Sequence, residues 1–154
     1  MTKRIVRFVV CIIIVVGALA TIAVPAHAAK GGTDRPWEGS GSVTGTITLG
    51  SPITVSSVGT VNVTHLGRSA YSNVVTCSAT GCANATTAVT IVAANGDTVF
   101  GSGVVTNGAT RVTITGGTGR FAGASGYYDV AGTTVFTGPL TFTLTFTQSG
   151  TVSY

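Results

Sequence analysis

From Ser42 onward, apolar and polar residues alternate with a period of two. In Thr141–Thr147, Phe142, Leu144 and Phe146 share one face and four threonines share the other. In Ser42–Leu49, Val43, Ile47 and Leu49 oppose Thr44, Thr46 and Thr48. This is the pattern of a half-buried antiparallel strand. Threonine suits a pleated surface and carries no charge, so the outer face needs few ions. Further strands are predicted over 59–66, 69–77, 86–94, 97–106, 109–115, 126–136 and 150–154. Turn residues separate them. Asn95-Gly96 and Asn107-Gly108 read as hairpin turns, because both residues tolerate positive φ. Thr137-Gly138-Pro139 turns the chain ahead of the Phe-rich strand. No amphipathic helical stretch follows residue 28. Eight or nine short strands at regular spacing predict a sandwich or a barrel. The last strand carries Val152 and Tyr154 on one face, and by pairing with the first it would close the sheet.

The first segment follows another pattern. Lys3, Arg4 and Arg7 precede an apolar run from Phe8 to Val24, and Ala26-His27-Ala28 offers a small-x-small cleavage site. Residues 1–28 therefore read as a signal peptide, removed before folding. A signal anchor is the competing reading, since the run is nearly long enough to span a bilayer. Pro25 and the small residues favour cleavage. Cys11 lies within the run, away from the cleavage site, which argues against a lipid-anchored cysteine. Residues 29–40 (AKGGTDRPWEGS) are polar, glycine-rich and broken by proline. They read as a flexible N-terminal arm that Trp37 pins to the body. The folded domain is expected at 41–154.

Charged residues make up 8% of the chain, against about 25% in an average protein. The formal charge of +4 leaves mostly with the signal. The five bases Lys30, Arg35, Arg68, Arg111 and Arg120 then face the four acids Asp34, Glu38, Asp97 and Asp129. No basic stripe remains to neutralise phosphates, so a nucleic-acid partner is not expected. Two cysteines survive, Cys77 and Cys82, and in an exported chain they are expected to form a disulfide. A metal site would need further ligands, and His65 is the only other soft one after residue 28.

The stretch Gly116-Gly117-Thr118-Gly119-Arg120-Phe121-Ala122-Gly123-Ala124-Ser125-Gly126 resembles a loop of allene oxide cyclase and dirigent proteins. Thr64-His65-Leu66-Gly67-Arg68-Ser69 and Ala93-Ala94-Asn95-Gly96-Asp97-Thr98 look like the bacterial secreted branch of that barrel superfamily. Order and spacing fit over most of 41–154. The resemblance implies an all-β fold, an antiparallel eight-stranded barrel around a central cavity. In the plant relatives such a cavity holds an apolar substrate or guides a coupling reaction. No constellation here matches the catalytic residues of the plant enzymes. The likeness concerns the scaffold, and a scaffold confers no activity.

The candidate chemistry is sparse. In a strand over 59–66, His65 shares a face with Val61 and Val63. It is then either a core-edge histidine bonded to a backbone carbonyl or a general base inside the barrel. Asp129 shares a face with Tyr127 and Ala131. Facing inward, Asp129 and Tyr127 would form an acid–base unit; facing outward, Asp129 is a solvated carboxylate. His65, Asp129 and Tyr127 are the catalytic candidates, and Tyr71, Tyr128 and Arg120 are the ligand-binding ones. Arg120 can equally donate to loop carbonyls or pair with Asp129 or Asp97, while Phe121 anchors its loop to the core. Arg68 reads as a rim group paired with an acid, and Arg111 as facing water. The glycine-rich loop lacks the helix or Lys-Ser/Thr pair of a phosphate cradle. No nucleophile elbow is present. The paired carboxylates of glycosidase chemistry would have to come from four acids, two of which fall in the arm.

These features predict a secreted barrel that binds a small apolar ligand or serves at a surface, with no cofactor, no metal and no membrane partner after signal cleavage. The alternative is a cofactor-free cyclase or isomerase of the allene oxide cyclase/dirigent type. An outer-membrane barrel would need longer strands and two aromatic girdles.

Overall fold

The computed structural model of the protein describes residues 33–78, 81–106 and 109–154. The leader at 1–28, the first part of the arm and the Asn107-Gly108 turn lie outside them. Eight strands follow in order: β1 (Arg35–Thr48), β2 (Ile53–Val63), β3 (Gly67–Ser78), β4 (Gly81–Ala93), β5 (Thr98–Thr106), β6 (Ala109–Gly117), β7 (Ser125–Phe136) and β8 (Thr141–Ser153). Each pairs antiparallel with the next, and β8 pairs with β1 to close a barrel. Closure leaves no strand edge unpaired. The alternation read from sequence sorts the two faces. Val43, Val61, Val63, Val89, Ile91, Val112 and Ile114 are buried inside, while threonines and serines dominate the outer face.

Three boundaries differ from the sequence expectation. β1 starts at Arg35, so Arg35–Ser40, expected in a flexible arm, is strand paired with β8 from Arg35↔Val152 onward. Its anchor is Trp37, which is 0% exposed. β2 starts at Ile53 rather than near 59, and ends at Val63 rather than beyond His65. β8 runs unbroken where two strands, 141–147 and 150–154, were expected. Gly150 allows this continuity: a Cβ there would lie 2.0 Å from the Tyr127 carbonyl oxygen, so only glycine lets the two strands approach. At the Asn95-Gly96 turn only Gly96 adopts positive φ, 88°. Asn95 contributes through its side chain instead, its Oδ1 accepting from the Asp97 N–H at 3.1 Å.

One end of the barrel is plugged. The three glycine-marked stretches that carry the family resemblance meet there. Arg120, in a 3-10 turn at Gly119–Phe121, lies 3.5 Å from Asp97 and donates to the His65 carbonyl oxygen. The Thr98 N–H donates to Thr118 Oγ1 at 2.9 Å, and the Thr118 N–H returns to the Thr98 carbonyl at 2.8 Å. Phe121 is fully buried and meets Tyr154 edge-to-face at 4.7 Å. The loop is thus tied down by Phe121 and Arg120, as the sequence predicts, with Asp97 rather than Asp129 as the acid.

At the opposite end Cys77 and Cys82 form the expected disulfide across the β3–β4 hairpin. They are buried with Ala85 against Ile53, Val55, Val75 and Val105. The closed loop is short, so removing both thiols (Cys77→Ala with Cys82→Ala) should cost about 2 kcal/mol in urea unfolding. An unchanged midpoint would show that the bond does not restrict the unfolded chain.

Candidate functional site

Between the plug and the disulfide end, inward side chains leave a cavity of about 180 Å³. It lies in the half of the barrel where β1–β2, β3–β4, β5–β6 and β7–β8 are joined. Its floor is formed by Tyr71, Val112 and Phe146, with Tyr71 tilted against Phe146 at 5.1 Å. Beneath the floor Trp37 stacks on Tyr128 at 5.2 Å with a 9° interplanar angle, and its indole N–H donates to Gln148 Oε1 at 3.1 Å. Near the rim stand Phe142 and the partly exposed Phe136, edge-to-face at 6.3 Å.

The wall is chiefly Val, Ile, Leu and Phe. None of the described lining residues carries a charge. Besides Tyr71, five polar side chains interrupt the apolar wall: Ser57 on β2, Asn73 on β3 and Thr87 on β4, on consecutive strands, and Thr110 on β6 and Thr134 on β7. The Ser57 hydroxyl donates to Asn73 Oδ1. Burial pushes the Tyr71 phenol well above the ordinary tyrosine range, so it stays neutral and can act only as a hydrogen-bonding group. Among the described residues no three His, Cys, Asp or Glu side chains cluster as a metal ion would require.

The predicted catalytic residues are not in this cavity, and His65 stands apart from Asp129 and Tyr127. His65 lies in the turn beyond β2 with φ 71°, so it leaves the face it was expected to share with Val61 and Val63. Its Nε2 lies 3.2 Å from the Pro36 carbonyl oxygen, and its ring meets Tyr154 edge-to-face at 6.1 Å. The backbone-bonded alternative therefore describes it, at the plugged end. Asp129 and Tyr127 do share a face, but it is the outer one. Asp129 binds Arg111 through two 2.7 Å hydrogen bonds, and the guanidinium lies 4.5 Å from the Tyr127 ring centre. The hydrogen bond to Asp129 and its charge push the Arg111 pKa up. Arg111 faces outward, as expected.

Of the ligand-binding candidates, Tyr71 lines the cavity, Tyr128 packs beneath it and Arg120 belongs to the plug. Arg68 is exposed near the start of β3. Sequence reasoning missed Ser57, Asn73 and Thr87. A signal for them exists: each is the polar member of an otherwise apolar period-two face, as in Tyr71, Asn73, Val75, Cys77.

Compared with known proteins, the chain matches no family model. No curated protein sequence matches it either. Among solved structures it is similar to the pterocarpan synthase dirigent protein GePTS1, with a TM-score of 0.57 and 13% identity. The match covers 79% of this chain and 86% of that one. At such identity the likeness is one of architecture, and it agrees with the strand order and closure described above: the chain folds as a closed, antiparallel, eight-stranded barrel similar to that of a dirigent protein.

Proposed function

We propose that the protein is exported and binds a small apolar molecule inside its barrel, without chemistry of its own. The carrying observation is the cavity of about 180 Å³, walled chiefly by apolar side chains and, among the described residues, lined by no charged group. Such a wall favours apolar ligands and offers nothing to hold an ion. Export is supported by the leader pattern and by the disulfide, which persists in oxidising compartments. The outward threonines support a barrel that stays in water rather than in lipid.

A second reading, a cofactor-free cyclase or isomerase, draws on the likeness to a pterocarpan synthase dirigent protein. In this barrel it would work by shaping the substrate, because Tyr71 is the only ionisable side chain among the described lining residues.

The test is native mass spectrometry of protein purified from the medium of the cells that export it, before and after organic extraction. The expected result is a small neutral adduct that extraction removes. Val105→Trp, which fills the cavity from the β5 wall, should abolish that adduct and keep the fold. A bare mass before extraction, with no thermal shift on adding apolar probes, would sink the binding reading. A bound molecule released chemically altered would favour the cyclase instead.

A further inference from the structure

The geometry points to a neutral ligand oxygen, a carbonyl or a hydroxyl, that Asn73 and Thr87 recognise on one wall of the cavity. This inference rests on the cavity-binding reading above. Ser57 and Asn73 are direct neighbours across the β2–β3 ladder. Thr87 faces Val75, one inward position along β3 from Asn73. The two strand ladders thus place all three polar groups on one patch of wall.

The hydrogen-bond inventory of the patch is incomplete. The Ser57 hydroxyl occupies Asn73 Oδ1, which leaves the amide's Nδ2 as the end with donors to spend. Among the described residues Asn73 Nδ2 has no hydrogen-bond partner. Thr87 is only 4% exposed, and its Oγ1 has no partner among the described residues either. Buried polar groups are satisfied in nearly all native structures, and exceptions call for an explanation such as a ligand. In the present rotamer the Thr87 hydroxyl is closed off from the cavity that its residue lines, and a χ1 turn would bring it beside Asn73 Nδ2, so that two donors on one wall fit one acceptor oxygen.

The chemical class follows from the rest of the cavity. Among the described residues no charged side chain lines it, so a carboxylate or ammonium would lose its hydration without a counter-ion. The opposite wall presents Val112, Val130, Leu144 and Phe146 to the hydrocarbon part of the ligand, with Thr110 and Thr134 beside them toward the joined strand ends. A dry cavity of about 150 Å³ holds benzene, so a single substituted ring fits here. The site takes a neutral, ring-sized molecule carrying one oxygen.

Two probes of the same shape test this: cyclohexanone and methylenecyclohexane, in which CH₂ replaces the carbonyl oxygen. Binding is followed by proton–nitrogen NMR of the full protein. Cyclohexanone should shift the Asn73 side-chain amide resonances, and methylenecyclohexane should bind without moving them. Thr87→Val, which removes the hydroxyl at constant shape, should weaken cyclohexanone about five- to tenfold. It should leave methylenecyclohexane unchanged, and Thr87→Ser should restore the ketone affinity. If both probes move the Asn73 amide alike, or Thr87→Val alters both affinities equally, the recognition of an oxygen is overturned while cavity binding stands. If neither probe binds the unsubstituted protein, cavity binding itself fails. Should Thr87→Val not fold, the amide shifts of the unsubstituted protein still decide.

Discussion

Trp37→Ala should lower the stability of the barrel by about 4 kcal/mol, close to the whole stability of a marginal domain. The indole is 0% exposed and stacks flat on Tyr128. Its removal opens a large hole next to a ring that cannot collapse into it, since Tyr128 is held in β7 between β6 and β8. It also strips the Gln148 side chain of the one hydrogen bond it makes among the described residues. Gln148 is 1% exposed, and its Nε2 already lacks a partner among the described residues. The variant therefore leaves a whole amide buried without hydrogen bonds, a cost beyond the cavity. Trp37→Phe keeps an aromatic stack but loses the bond and part of the buried ring, so it should cost about 2 kcal/mol, less than Trp37→Ala. Urea unfolding followed by circular dichroism measures both, because the substitution removes the only tryptophan. A loss below about 1 kcal/mol for Trp37→Ala would mean that the strand around it is an appendage rather than part of the barrel.

The barrel should also unfold in alkali, driven by two buried phenols. Burial raises the pKa of Tyr71 and of Tyr128, and for Tyr128 the nearby Tyr71 adds to the effect. In the unfolded chain both ionise near pH 10. Below that value both states hold the protons, and stability does not depend on these groups. Above it the unfolded chain releases two protons that the folded barrel retains, so stability falls as pH rises. Two groups give a slope of about 3 kcal/mol per pH unit. Between about pH 10 and 12 the barrel should therefore lose most of its stability. Tyrosinate absorbance and circular dichroism, recorded together, should show part of the absorbance appearing only as the β signal disappears. Tyr71→Phe should roughly halve the slope. Full tyrosinate absorbance with the β signal intact would show that both phenols reach solvent.

What could be read from the chain divides by physical cause. Alternation gave away the strands and their inner faces, because a residue two places on must point the same way. Phe142, Leu144 and Phe146 are the plainest example. The placement of His65, by contrast, depended on where β2 stops. His65 was expected inside because Val61 and Val63 are, but the chain turns at Thr64 and releases it to the plugged end. Polar composition hid the true start of β1, where a single indole outweighs a run of glycine and charge. The glycine-rich motifs stood out because tight turns demand particular residues. They mark the plug, where Arg120 and Asp97 hold loops together. The cavity residues Ser57, Asn73 and Thr87 need no special backbone and so carry no motif. Each shows in the sequence only as a polar break in an apolar face, and that the three meet on one wall emerges only after neighbouring strands are set in register.

The closing ladder between β1 and β8 also sets the order of events as the chain folds. Asp34 hydrogen-bonds to Ser153, 119 positions away. Every other strand can find its partner through a hairpin, but this pairing must wait until the last strand has arrived. Until then β1 and β7 are both exposed edges, open to pairing with other chains. Long-range pairing of this kind slows folding. The hazard of aggregation is thereby concentrated in the interval before β8 docks, and a chain cut short of Thr141 would never leave it.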